Sequence, residues 1–356
     1  MNEVKDLVEI SKYAGERFDL VQAGGGNSSV KFDNDEMIIK ASGFLLSDVN
    51  ENSGYSRVKT SQIANIVKNN QILNSEDKRE RESITSNLVK CATIDKQNRP
   101  SIETLLHSFL YKYTLHTHPI VVNIIVIQKN WKEILKAIFK EEFIAFIDYK
   151  TPGIELALEL DKTLQEFRKI PNIIFLQNHG LIITSEKKDE IKIIKEEVLS
   201  KIEKYLKLDM DKYKRSNDIS RLFKNVEDNE NISYLSEDMY INKQLVENQE
   251  LFYLTPFCPD SLVYCGISCA KIENLFDMTS LINYKNKYFE LPKVILYQNN
   301  LFFRASCIKK AKEMEEVFKF HIMVLEQNIK NEKNFLELDE LAYLSNWEAE
   351  KYRQKL

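Results

Sequence analysis

Residues 172–184 read NIIFLQNHGLIIT. Two short apolar runs flank Asn178-His179-Gly180, a pattern that predicts a strand, a tight turn and a second strand. The turn presents one imidazole, that of His179, in a setting where a side chain can be aimed into a cleft. Upstream, His116-Thr117-His118 puts two more imidazoles two residues apart, and on a strand both project to one face. Alone, such a pair is most often an ordinary strand with two polar side chains. Joined by a turn histidine, it fits the usual catalytic zinc site of three histidines and an open fourth position.

An acid strengthens that reading. Pro100-Ser101 opens a stretch of helical spacing from Ile102 to Tyr113, with Ser101 as an N-cap candidate. Glu103 and His107 lie four residues apart on that helix, so they share a face and can hydrogen-bond to one another, although most such pairs are ordinary surface pairs. A glutamate near a zinc ion serves as a ligand or as a base. Farther upstream, Gly24-Gly25-Gly26 with Asn27, Ser28 and Ser29 offers backbone N–H groups to an anion, or forms a plain turn. It follows a helix and lacks both the dinucleotide-binding and the P-loop spacing, so neither of those folds is indicated. His321, among Phe318, Phe320 and Val324, reads as a structural histidine.

Around these motifs the chain alternates helix and strand. A helix is expected over residues 1–20 and strands over 29–32 and 36–41. Residues 69–86 read as a polar surface excursion. A strand-like run interrupted by Pro119 covers 115–127, and helices follow near 131–139 and 187–206. Residues 208–240 are polar and poor in pattern and read as a linker between a domain at 1–207 and a smaller α/β domain at 241–356, which ends in a charged helix. One internal likeness stands out. Residues 174–181, IFLQNHGL, lie beside 295–301, ILYQNNL, each followed by a short strand and a charged helix. Were it a true repeat, the second copy would carry no metal of its own, since its histidine has become Asn300.

The bulk numbers exclude several partners. The 356 residues are 43% hydrophobic and 29% charged, with a net charge of −4. There is no basic surplus to recruit nucleic acid or anionic lipid. The longest apolar run, Ile120 to Ile127, is too short to cross a bilayer. No secretory signal is visible at the amino terminus. Five cysteines, an odd number whose nearest pair is Cys265 and Cys269, argue against a disulfide framework. The expectation is a cytoplasmic protein with no nucleic-acid or membrane partner.

Six segments together resemble the class II aldolase/adducin superfamily: GGGNSSVKF (24–32), KASG (40–43), RPSIETLLH (99–107), HTHP (116–119), YKTPG (149–153) and LQNHGLI (176–182). They come in the family's order and spacing and cover roughly residues 10–205. The tail segments PDSLVYCG (259–266) and LSNWEAEKYRQKL (344–356) are similar to longer bacterial members with a carboxyl-terminal extension, rhamnulose-1-phosphate aldolase-like proteins. The resemblance implies an α/β fold, with an α/β/α layered domain around a central, mostly antiparallel sheet and a smaller C-terminal α/β domain. It places His116, His118 and His179 on the ligands of Zn2+ or another divalent ion. Glu103 falls on the proton-transfer acid, and Tyr149 on a tyrosine that serves the aldehyde oxygen. Gly26, Asn27, Ser42, Gly43 and Ser101 fall on groups that hold the substrate or its phosphate. One departure is Ile102, which replaces a serine of the deoxysugar-phosphate aldolases.

The activity implied is a lyase reaction, aldol cleavage or condensation of a sugar or sugar phosphate through an enediolate at the metal. A dehydratase, decarboxylase or epimerase would use the same ligands. An adducin-like assembly protein is a third reading, and it predicts lost ligands where this chain keeps all three. Family members are commonly tetramers, so a homo-oligomer is implied as well.

Overall fold

The computed structural model describes residues 2–345 apart from 96, 141 and 228. The chain divides into two compact units, residues 1–210 and 211–356.

The first unit opens with helix α1 (Asn2–Gly15), followed by strands β1 (Asn27–Lys31), β2 (Glu36–Lys40) and β3 (Tyr55–Lys59). Two short helices, α2 (Thr60–Ala64) and α3 (Asn70–Asn74), precede α4 (Lys78–Ala92) and α5 (Thr104–Ser108). Then come β4 (Tyr113–Thr117), α6 (Ile120–Val126), α7 (Trp131–Ile138), β5 (Ile144–Ile147) and α8 (Ile154–Leu164). The hairpin β6 (Ile173–Leu176) and β7 (Gly180–Ser185) leads into the long helix α9 (Lys188–Leu206).

These seven strands form one sheet in the order β3-β2-β1-β4-β7-β6-β5. Every pairing is antiparallel except that of β5 with β6. The layering follows from strand alternation. Leu115, Phe175, Leu181 and Ile183 point into a core built with α6, α7 and α9. Ala145, Ile147, Ile174, Leu176 and Ile182 point the other way, into a core with α2, α5 and α8. Strands buried on both faces read as unbroken apolar runs, which is why β6 and β7 lack an alternating pattern.

Three local expectations change. Residues 120–126 are helical, not a continuation of the strand. Pro119 stands at the helix N-cap, where its carbonyl accepts the Asn123 N–H at 2.9 Å. Val121, Val122, Ile125 and Val126 are buried at helical spacing, so tertiary packing overrides the strand preference of β-branched residues. The helix expected over 102–113 is confined to Thr104–Ser108. The polar excursion at 69–86 contains α3 and most of α4, a helix of which only Thr85 and Ala92 are buried.

The second unit begins inside the segment read as a linker. Helix α10 (Asp211–Val226) and strand β8 (Ile232–Leu235) occupy it. Tyr213, Ser216, Ile219, Leu222 and Phe223 form the buried stripe of α10, which the surrounding charges hide from a compositional reading. Helices α11 (Met239–Glu247) and α12 (Pro259–Cys265) follow, then β9 (Ala270–Lys271), α13 (Thr279–Tyr288), β10 (Val294–Tyr297) and β11 (Asn300–Ala305). Helix α14 (Ile308–Gln327) is the longest, and α15 (Leu338–Ser345) is the last described element. The remainder of the expected terminal helix lies outside the described residues.

The sheet of the second unit runs β8-β11-β10-β9, with only β10 and β9 parallel. That is the arrangement of β4-β7-β6-β5 in the first unit, strand for strand and direction for direction. A helix joins the third-listed and fourth-listed strands in each unit, α8 in one and α13 in the other, and a helix of 19 or 20 residues follows each hairpin. The internal likeness in the sequence marks the two hairpins. Ile174 pairs with Ile182, and Ile295 pairs with Phe302. In turn His116 pairs with Ile182, and Leu235 pairs with Phe302. Leu235 is therefore the counterpart of His116, and Glu237 that of His118.

Candidate metal centre

Sheet register assembles the three imidazoles. His116 pairs with Ile182 on β7, so it lies beside the hairpin turn that carries His179. His118 follows β4 directly and its N–H donates to the Leu20 carbonyl at 2.9 Å. The Nε2 atom of His116 is 3.1 Å from Nε2 of His118 and 3.2 Å from Nε2 of His179. Two zinc–nitrogen bonds of 2.0–2.1 Å at a tetrahedral angle span about 3.3 Å, so the spacing fits a single ion. The Nδ1 atom of His116 lies 3.2 Å from the Leu181 carbonyl. That contact holds the proton on Nδ1 and leaves the Nε2 lone pair for a metal. Residues His116, His118 and His179 thus fit a divalent ion.

Two glycines make room for His118. A Cβ on Gly180 would stand 2.3 Å from the Thr117 carbonyl oxygen, and one on Gly25 would stand 2.9 Å from the His118 ring. Neither neighbour can retreat cheaply, since one is backbone and the other a candidate ligand.

Glu103 sits beside the cluster, with Oε1 3.1 Å from His179 Nε2 and 3.6 Å from His116 Nε2. Its Oε2 accepts the Asn27 Nδ2 donor at 2.5 Å. The bond that the spacing allows between Glu103 and His107 does not form. Glu103 precedes the short α5, and His107 instead sets Nδ1 2.7 Å from the Ser29 hydroxyl. Burial pushes the Glu103 carboxyl up, but the closeness of His116 and the bonds from His179 and Asn27 outweigh it, so the group is held below the ordinary range. Burial keeps His116 and His118 neutral: His116 is held well below its usual value and His118 is lowered to about 4. Neutral imidazole is the form that ligates.

The other expected site residues are placed as follows. Asn27 opens β1 opposite His116, with its amide donor on Glu103 and its Oδ1 buried without a partner. Gly26 precedes it with φ 74°. The hydroxyls of Ser28 and Ser29 are engaged within the protein. Both residues belong to β1, and the hydroxyls meet Ser11 at 2.6 Å and His107 at 2.7 Å. Ser42 and Gly43 are exposed, and the Ser42 N–H donates to the Arg99 carbonyl at 2.9 Å. Ser101 is buried and its Oγ accepts the Glu103 N–H at 3.3 Å. Tyr149 is 53% exposed, on a loop whose Tyr149 N–H donates to Gln177 Oε1 at 3.0 Å.

Two lysines escaped the sequence reading. Lys40 is buried at the end of β2, with Nζ 3.2 Å from the Gly24 carbonyl and close enough to Glu103 to feel its charge. Lys195 is wholly buried and donates to Thr117 Oγ1, the residue between His116 and His118. Burial lowers it to about 7, and Arg17 adds to the effect. The signal for Lys195 was present in the sequence, because it interrupts the apolar stripe Ile191, Val198, Leu199 and Ile202 of α9.

The family profile described as "Class II Aldolase and Adducin N-terminal domain" matches residues 5–198. A Bacillus subtilis (strain 168) protein named "Uncharacterized oxidoreductase YuxG" is 29% identical over 192 residues, 51% of this chain and 26% of that protein. The chain thus matches about a quarter of that relative's length. The N-terminal class II aldolase domain of a conserved protein from Thermoplasma acidophilum has a similar fold. Its TM-score is 0.50 at 23% identity, over 57% of this chain and 93% of that one.

Proposed function

The chain belongs to the class II aldolase and adducin family, and from this and its histidine cluster we propose that it is a zinc-dependent aldol lyase acting on a sugar or sugar phosphate. The convergence of three imidazole nitrogens with Glu103 beside them carries this reading. His116, His118 and His179 would hold the ion. Bound there, a divalent cation would polarise a substrate carbonyl and stabilise the negative charge that grows on its oxygen.

The chain's own groups supply the rest. Glu103 is ionised, fixed at Oε2 by Asn27 and turned at Oε1 toward the histidine cluster, 3.1 Å from His179 Nε2, where it can serve as a general base. In the condensation direction it takes a proton from the carbon beside the carbonyl, and cleavage returns it. Tyr149 supplies the proton for the aldehyde oxygen from its exposed loop. Ser42, Gly43 and Ser101 bind the oxygen-rich near end of the substrate, and Asn27 serves chiefly to orient Glu103. A cytoplasmic setting agrees with five free cysteines, two of which, Cys265 and Cys269, burial keeps as thiols. Among the described residues no helix is long and apolar enough to cross a membrane. We place the protein in a homo-oligomer, as the family resemblance implies.

Metal analysis combined with a panel of ketoses and ketose phosphates tests the proposal. Purified protein should contain about one zinc per chain and release an aldehyde, and His116→Ala should abolish both. Loss of water or carbon dioxide without aldehyde would instead assign a dehydratase or decarboxylase. A metal-free protein indifferent to His116→Ala would end the catalytic reading.

A further inference from the structure

His116 sits within a strand pairing and His179 within the turn that joins β6 to β7, but His118 lies one residue past the end of β4. The segment 118–120 hangs instead on two carbonyls. The His118 N–H donates to Leu20 and the Ile120 N–H to Asp19, both at 2.9 Å. Pro119 between them has no N–H to give. Where the His118 ring stands therefore depends on what fixes residues 17–20.

Arg17 fixes them. It is 1% exposed, and its guanidinium grips both carboxylate oxygens of Asp19, Nε on Oδ1 at 3.0 Å and Nη2 on Oδ2 at 2.6 Å. A two-point fork of this kind sets direction as well as distance. The third nitrogen, Nη1, donates to Glu196 on α9, and the same Glu196 oxygen accepts the Tyr13 hydroxyl at 2.5 Å. Lys195, the neighbour of Glu196, donates to the Thr117 hydroxyl. Helix α9 thus reaches His118 twice, through Arg17 and the 17–20 loop and through Thr117.

Buried charge is an expensive way to join elements, because a well-packed apolar contact serves stability as well or better. The second unit supplies the comparison. Its half-sheet has the same layout, and the contact recurs there. Glu315, like Lys195 the eighth residue of its helix, accepts at 2.6 Å the hydroxyl of Ser236, which lies between the counterparts of His116 and His118. Yet Glu315 is only half-buried, and among the described residues every buried Arg, Lys, Asp and Glu belongs to the first unit. The layout stands without buried ions where no ligand has to be held.

We propose that Arg17, Asp19, Glu196 and Lys195 form an ionic clamp of positioning residues that aims His118 at a metal ion. The proposal rests on the reading of His116, His118 and His179 as a metal site.

Cobalt(II), whose visible absorption reports its coordination, tests the clamp in the full chain. Lys195→Met should weaken cobalt(II) binding about 10–100-fold, while the melting temperature of the metal-free protein does not fall. Arg17→Lys keeps the charge but loses the fork, and it should weaken binding as well. Combined with His118→Ala, Lys195→Met should cost nothing more; combined with His179→Ala, it should keep its effect. Should Lys195→Met fail to fold, Thr117→Val and Thr117→Ser read the same contact, and only the serine should keep wild-type affinity. Variants that melt lower yet bind cobalt(II) as wild type does, or an effect of Lys195→Met that survives His118→Ala, overturn the proposal. Wild type that binds no cobalt(II) removes the metal reading and the clamp together, whereas wild-type binding with indifferent variants removes the clamp alone.

Discussion

At the scale of single residues, the hydrogen bond from Asn27 to Glu103 decides how the site works. An amide oriented to donate to a carboxylate holds it in one rotamer and favours its charged form. Asn27→Ala should therefore lower turnover by about 10–100-fold, the usual cost of losing a supporting contact. It should also raise the Glu103 pKa, so the acid limb of the pH–rate profile moves to higher pH. A profile displaced the other way, or not at all, would show that Asn27 does not support the base. The imidazoles and Glu103 were legible because each stands at a spacing with chemical meaning. The partnership of Asn27 with Glu103 was not, since 76 residues separate them and Glu103 lies ahead of α5, on no strand that pairs with β1. Lys195 was overlooked for a different reason: a charged residue on a helix reads as solvated until its place in the apolar stripe is noticed.

Among elements, the hairpin of β6 and β7 does most to fix the site. Gly180 lets the turn lie directly against the strand that bears His116 and His118. Gly180→Ala should push a Cβ into the Thr117 carbonyl and cost roughly 2–4 kcal/mol, read as a lowered melting temperature with weakened zinc affinity. Gly24→Ala, with nothing within 4 Å of its Cβ, is the matched control and should leave both unchanged. The hairpin itself was readable from sequence, because two apolar runs about a polar turn admit few other structures. Helix α6 was not, as Val and Ile at helical spacing in a short run mimic a strand until packing selects the face. Helix α10 was hidden by charge, for a five-residue buried stripe is diluted below notice in so polar a segment.

For the molecule as a whole, burial of histidines sets the acid limit. His107 in the first unit and His321 in the second are both pushed by burial down to about 4 from a usual 6.5. Above pH 6.5 neither state takes a proton there, so stability is flat. Below it the unfolded chain gains protons that the folded one refuses, and stability falls until about pH 4. Each histidine contributes about 1–3 kcal/mol to this loss as an upper range. Denaturant midpoints at pH 7 and pH 5 measure it, and His321→Gln should flatten the dependence of the second unit. A midpoint that rises on acidification would contradict the sign. The repeated strand layout, suggested by seven or eight residues of sequence, became firm only once the direction of every pairing was known.

The span of the histidine cluster has a consequence for biosynthesis. His116 and His179 are 63 residues apart, and Asn27 lies ahead of both. While the ribosome still holds β7, no partial chain can offer the complete ligand set, however long it waits. A cation held by all three imidazoles would consequently arrive only after the His179 turn has left the ribosome, too late to guide the strands made before it.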